Sequence, residues 1–326
     1  MRAGALRWSR PLAAGIGILM TMTGLACSSA TSGSPGTAGT AAGPQQSAAP
    51  SQAPRRTVEM LGSTWSQVWS DPFNGPAGQG INPANWQYQT GHGNFGTGEV
   101  ETTTNSPANV RLDGHGHVDI IPLSSGSSWT SGRIQTTSDQ FAPPAGGQMM
   151  VTASIKQPDP ADGRGYWPGF WLIGPGAWPQ HGEIDVVEDV NALSRVAGTL
   201  HCGDLTQRNA DGTTGPCHEN TGLTSGLRPC PGCQTGYHTY ALVIDRRNAA
   251  DGQVRWYVDG RQFFAVSEST VGAAAWTAGV DHGFSIILNV AMGGGYPNVI
   301  CRCTTPTSQT TSGAAMSVGA VSVYTS

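Results

Sequence analysis

Charge is scarce in this sequence: Asp, Glu, Lys and Arg together make up only 12% of its 326 residues, and the formal balance is -4. A nucleic-acid partner requires a basic footprint, so that class is excluded. The few charges are scattered, which leaves no polybasic patch for a membrane surface. Long apolar runs are missing too. The stretch Leu12 to Met22 falls short of the roughly 20 residues that a spanning helix needs. No segment sustains helical spacing over three turns. What the chain does have is Gly (46), Pro (22) and Trp (10). Gly and Pro break helices and mark turns, so the composition suits a turn-rich β protein. Sparse charge beside abundant Trp fits a neutral, hydroxyl-rich ligand such as a sugar.

The N-terminus reads as an export signal, with Arg2, Arg7 and Arg10 ahead of the apolar stretch and Gly24-Leu25-Ala26-Cys27 at its end. Two processing routes stay open. Cleavage before Cys27 would leave a lipid-modified N-terminus, and GLAC resembles a bacterial lipobox with Gly24 where Leu, Ile or Val is usual. Ordinary cleavage near Ala30 is the other route. Cysteine arithmetic leans towards the lipid, because setting Cys27 aside leaves Cys202, Cys217, Cys230, Cys233, Cys301 and Cys303. An even set in an exported chain suggests disulfides. A zinc or redox role for Cys230-Pro231-Gly232-Cys233 finds no second CxxC and no βαβ pattern to support it. From Ser28 to about Arg56 the chain is Ala, Gly, Ser, Thr, Pro and Gln, which cannot bury enough surface to order itself. The organisation expected is therefore a signal with a lipobox cysteine at 1–27, a flexible linker at 28–62 and one folded domain at 63–326. That domain would be monomeric, and either secreted or lipid-anchored outside the cytoplasmic membrane.

Within the domain the periodicity is that of strands. Met149, Val151, Ala153 and Ile155 alternate with Met150, Thr152, Ser154 and Lys156. Tyr240 to Asp245 and Phe284 to Val290 are apolar runs of strand length. Val254 to Val258, Asp259-Gly260, then Gln262 to Val266 reads as a hairpin, since Asp-Gly supplies the positive φ angles of a tight turn. An all-β sandwich follows, with long loops at 71–98 and 202–236, the second carrying four cysteines.

The informative segment is His181 to Asp189, HGEIDVVED. Glu183, Asp185 and Glu188 interrupt an apolar β run, and burying carboxylates is costly unless they are paired or working. Glu183 and Asp185 share a strand face by period-two alternation. Glu188 falls on the opposite face of a regular strand, but one β-bulge near Val186-Val187 would restore it. Three acids on one face provide the pair of carboxyls, about 5 Å apart, that retaining glycosidases need. Their Cα atoms would lie roughly 13 Å apart, a gap that long Glu side chains can largely close. Asp185 between them would hydrogen-bond the nucleophile and discourage ionisation of the acid/base. A solvated edge strand with surface acids is the bland alternative. Trp167 and Trp171 in WPGFW share a face, either as core or as a platform for sugar rings.

The series YWPGFWLIG, WPQHGEIDVVEDV, AGTLHC, GYHTYALVIDR, VRWYVDG and ILNVAMGG resembles the successive motifs of glycoside hydrolase family 16, from about Trp65 to Tyr324. The resemblance implies a concanavalin A-like jelly-roll sandwich of two antiparallel sheets with a substrate cleft on its concave face. It implies retaining hydrolysis of internal β-linkages, with Glu183 as nucleophile, Asp185 as assisting acid and Glu188 as acid/base. Trp167 and Trp171 match cleft aromatics, Arg133 a sugar-contacting arginine and His201 a histidine near the carboxylates. Glu99 stands in a first cleft loop that departs from the family's usual Asn-Asn-Glu. The bulged ExDxxE spacing resembles β-1,3-glucanases, agarases, carrageenases and galactanases. A β-1,3-glucan is the expected substrate, an endo-galactanase the runner-up, and a non-catalytic jelly-roll lectin the reading from another class. No cofactor is expected. Many relatives hold a structural Ca²⁺ through an acidic motif at the domain start and a late Asp. Here Pro72 and Gly319 stand in those places, so no metal site is expected.

Overall fold

The computed structural model describes residues 56–326, apart from Asn94 and Ala249. The expected export signal, Cys27 and the linker as far as 55 lie outside the described residues. Two large antiparallel sheets dominate. One runs in the order Thr57–Met60, Ser63–Asp71, Met316–Thr325, Gln148–Lys156, His238–Asp245, Gln253–Val258, Arg261–Ser267. The other runs Leu223–Thr224, Arg195–His201, Glu183–Glu188, Tyr166–Ile173, Ser285–Met292, Arg133–Thr136, Trp86–Tyr88. A smaller four-stranded sheet contains the strand Glu101–Thr103. Three short helices are the only ones among the described residues, and none is long and apolar enough to cross a membrane.

The two large sheets share one core. Met149, Val151, Ala153 and Ile155 face Tyr166, Phe170, Leu172, Ile184 and Leu288 within a single buried cluster. Each fully buried side chain of this size contributes about 1.5–3 kcal/mol of transfer free energy. The alternation seen in Met149 to Lys156 therefore marks a sheet face. Its other side is not open everywhere: Met150 is buried with Trp65, Ala241 and Val243 on the far side of the first sheet. The Asp259-Gly260 turn also forms as expected, with φ of 48° and 75° between paired strands.

The folded chain starts earlier than the composition suggests. Thr57–Met60, inside the expected 28–62 linker, pairs with Ser63–Ser66 through a Leu61-Gly62 turn in which both φ angles are positive. Val58 and Met60 pack against the Trp65 cluster, and the Trp65 indole donates to the Met60 carbonyl at 2.8 Å. Four residues with a single alternating apolar pair are too few to lift the local average above that of a linker.

All six domain cysteines pair, as Cys202–Cys217, Cys230–Cys233 and Cys301–Cys303. The long segment 202–236 is partly sheet, since Leu223–Thr224 and Arg228–Pro229 both add to Arg195–His201. At the domain start the residues do not fit a calcium ion. The Asp71 carboxylate accepts hydrogen bonds from the Phe73 amide, Asn85 Nδ2 and the Trp86 indole, and donors of that kind occupy the lone pairs a cation would need. Pro72 and Gly319 bring no replacement oxygen from their side chains.

Candidate active site

The strand Glu183–Glu188 carries the expected bulge. Opposite it, Phe170 pairs with Val187 and Trp171 with Asp185, leaving Val186 without a partner. On the other side Asp185 pairs with Thr199 and Glu188 with Ala197, again with a shift. The extra residue lets Val186 and Val187 both enter the core. Glu183, Asp185 and Glu188 are thereby all left on the outer face.

Neighbouring strands supply the partners of each acid. The Trp167 indole donates to Glu188 Oε1 at 2.8 Å, and Thr199 Oγ1 lies 3.5 Å from Glu188 Oε2. His201 presents Nε2 to Asp185 Oδ2 at 3.6 Å and donates from Nδ1 to Glu219 Oε2 at 2.7 Å. Burial raises all three acids. Asp185 is raised further by Glu188 and Glu183, and Glu188 is pushed up to about 7. For Glu183 the burial effect is opposed by the positive charges of His201 and Arg133. Burial alone would lower His201, but its bond to Glu219 and the charges of Glu183 and Asp185 lift it to about 10.

Arg133 lies deep in the same face, its guanidinium 3.8 Å from the Phe95 ring centre and 4.6 Å from that of Trp171. Burial pulls it down to about 10 against the pull of Glu183, Glu99 and Glu101, so it stays cationic at neutral pH. Its Nε donates to Gln89 at 3.0 Å. Trp171 in turn donates to Asn289 Oδ1 at 2.9 Å. Between the two tryptophans Gly169 keeps the surface low, because a Cβ there would sit 2.8 Å from Asn289 Oδ1. Glu99 is near Arg133 but is turned inward, its carboxylate engaged by the amide and hydroxyl of Thr97.

Eight residues singled out in the sequence, namely Glu183, Asp185, Glu188, Arg133, Trp167, Trp171, His201 and Glu99, lie on or just beneath this face. The sequence reading misses Glu219, Asn289, Tyr296, Glu101 and Trp178. Tyr296 meets the Trp167 ring edge-on at 5.7 Å, and Glu101 is buried beneath Met292, whose amide it accepts at 2.8 Å. Trp178 is half-exposed with its ring 5.5 Å from that of His201. Glu219, Asn289 and Tyr296 come from segments with no acid-rich pattern of their own, whereas Glu101 and Trp178 stand close to Glu99 and the HGEIDVVED segment respectively. The WP pair preceding HGEID is the one local signal that could have found Trp178.

Glu183, Asp185 and His201 offer donor atoms within 4.8 Å of one another, a spacing that suits a metal ion. The His201 Nδ1 edge is already taken by Glu219 at 2.7 Å, so only Nε2 faces the two acids.

Raised acids also bear on stability. A carboxyl whose folded-state pKa exceeds its unfolded value near 4.3 contributes stability below that value and loses it as pH rises through the folded pKa. For Glu188 that window runs from its unfolded value to about 7. Glu188→Gln is therefore expected to melt at least ~2 °C higher than wild type near pH 8 and level with it near pH 4. Calorimetry at the two pH values checks this, and equal melting at both would remove the burial argument.

Comparison with known proteins adds independent support. A family profile described as the XgeA-like, catalytic GH16 domain matches residues 126–244. The endo-1,3-beta-glucanase crystal structure from Streptomyces sioyaensis is 42% identical, covers 80% of this chain and 96% of its own, and superposes with a TM-score of 0.74. The endo-beta-1,3-glucanase from Pyrococcus furiosus is 27% identical over 83% of this chain and 98% of its own, with a TM-score of 0.63. Glucan endo-1,3-beta-glucosidase A1 of Niallia circulans is 29% identical over 256 residues, which is 70% of this chain but 34% of that protein. The chain thus spans about a third of that relative's length.

Proposed function

Because the chain belongs to glycoside hydrolase family 16, we propose that it is an endo-1,3-β-glucanase that acts with retention, Glu183 being the nucleophile and Glu188 the acid/base. The observation that carries this reading is the bulge, which brings Glu183, Asp185 and Glu188 to one face with their pKa values pushed up. In the first step Glu183 attacks the anomeric carbon while Glu188 gives its proton to the leaving oxygen. Water then hydrolyses the glycosyl-enzyme, with Glu188 taking the water's proton. A pKa of about 7 suits Glu188 to both halves. His201 and Arg133 favour the ionised form of Glu183 that attack requires. Asp185, crowded by both glutamates, is the group best placed to hold a proton and donate it to the nucleophile.

The β-1,3-glucan preference is supported by the named activities of the Streptomyces and Pyrococcus relatives. A lectin has no use for three clustered acids with raised pKa values, and nothing in the site favours a galactan. Retention is tested by following early products of laminarin cleavage by NMR. The β anomer is expected first, and initial release of the α anomer would overturn the nucleophile assignment.

The N-terminal signal, the GLAC site and three disulfides support a further part of the reading: the chain is exported and lipidated at Cys27 on the outside of the cytoplasmic membrane. Cys27→Ser should shift the protein from the membrane fraction to the medium. Retention of the variant in the membrane fraction would count against lipidation.

A further inference from the structure

Glu219 has no place in the acid motif, yet it is the most enclosed carboxylate at the site, with its side chain fully shielded from solvent. It follows Cys217 in the long segment that leaves the sheet at Cys202. Both its oxygens are used. Oε2 holds His201 Nδ1 at 2.7 Å, and Oε1 accepts the Cys202 amide at 2.9 Å. The Cys202–Cys217 disulfide closes this segment back on the strand end. The Glu219 backbone is pinned as well, exchanging amide–carbonyl bonds with Thr214 at 2.7 and 2.8 Å.

A second contact comes from the same segment. Gly222 lies against the His201 ring, and a Cβ added there would sit 2.9 Å from Cε1 and 3.0 Å from Nδ1. Its φ of 69° is open to glycine at no steric cost. The next two residues, Leu223–Thr224, pair with Thr199 and Leu200, the strand positions just before His201. The disulfide-closed segment therefore fixes the imidazole from its Nδ1 edge and leaves Nε2 aimed at Asp185.

We propose that Glu219 is a positioning residue for the hydrolysis: it holds His201 as an imidazolium directed at the Glu183–Asp185 pair. This rests on the catalytic reading above. Around the ring stand Glu183 and Asp185 from one strand and Glu219 from the loop, with Glu188 and Arg133 further along the same face and the uncharged Trp178 at its rim. Ionised Glu183 near the ring already favours the protonated imidazole, and Asp185 offers Nε2 an acceptor oxygen in either protonation state. The Glu219 bond adds to this by fixing the tautomer, the ring plane and a counter-charge that no solvent screens. The imidazolium then lowers the cost of ionised Glu183 in the resting enzyme, against the smaller opposing charge of Glu219 itself.

The test uses the full chain labelled in its histidine rings, with the His201 signal assigned by its loss in His201→Asn. In wild type the His201 ring nitrogens are expected to stay protonated through about pH 9. In Glu219→Gln the midpoint should fall by at least about two units, kcat on laminarin should drop about tenfold or more, and KM should change by less than about twofold. Glu219→Asp keeps the charge but is one methylene too short to span both partners. It should leave His201 protonated near neutral pH while lowering kcat by a few-fold. This second variant serves if Glu219→Gln does not fold. A His201 midpoint in Glu219→Gln within half a unit of wild type, or wild-type kcat in either variant, would overturn the proposal. The ring titration reads the His201–Glu219 pair directly. A failure of the glucanase reading would instead show as wild-type protein inactive on laminarin, and the two failures stay distinct.

Discussion

Replacing Glu183 by Gln is expected to lower kcat on a β-1,3-glucan by on the order of 10⁴-fold or more, with the fold intact. An amide is a poor nucleophile, so the covalent step has no attacking group, and losses of this kind are among the largest seen for single active-site changes. The substitution keeps the side-chain volume and leaves Ile184, Val186 and Val187 undisturbed in the core beneath. It also removes a carboxyl whose pKa is raised by its surroundings, so stability should hold or improve. Initial rates on laminarin together with a melting curve decide the matter. Activity within tenfold of wild type in a folded variant would mean that Glu183 is not the nucleophile.

The second large effect belongs to Glu188. Glu188→Ala should lose on the order of 10³-fold or more in kcat on laminarin, because the departing sugar oxygen then leaves unprotonated. Substrates with an activated leaving group need no such proton. On them the first step should survive and glycosyl-enzyme should accumulate. Azide is small enough to enter the space left by the carboxyl and needs no general base. It should restore turnover and yield a glycosyl azide of β configuration. The Trp167 indole loses its acceptor in this variant, so ring orientation should loosen and KM on laminarin, where the first step limits, should rise modestly. An α-configured azide product, or no azide effect at all, would contradict the assignment of Glu188 as acid/base.

These two expectations rest on an arithmetic that the sequence contains. Side chains on a strand alternate with period two, so a five-residue spacing between Glu183 and Glu188 can serve one site only if a residue is inserted between them. The bulge at Val186 is that insertion. The Asp259-Gly260 turn and the Met149–Ile155 core face were legible for the same kind of reason, since each depends on neighbours within a few residues. Arg133, Trp167, Trp171 and His201 were assigned by resemblance, and the structure brings all four to the face that holds the acids.

Other features depended on segments far apart in the chain. Trp167 reads in sequence as either core or a stacking platform, and its bond to Glu188 follows from how Tyr166–Ile173 pairs with the bulged strand. Trp171 reaches Asn289 across a separation of 118 residues. Glu219 sits in a loop whose composition suggests only disulfide cross-linking, and nothing nearby in sequence singles it out from the acids that the fold leaves exposed. Its burial, its contact with His201 and its link to Cys202 all arise when the loop folds back over the strand end. The early strand Thr57–Met60 was missed for a related reason, because its ordering comes from the Trp65 cluster and not from its own residues. Period-two alternation and turn chemistry are local, and local rules fixed the sheets, the hairpin and the acid face. Which distant polar groups meet at that face depends on loop closure and strand order, and only the tertiary structure decided those.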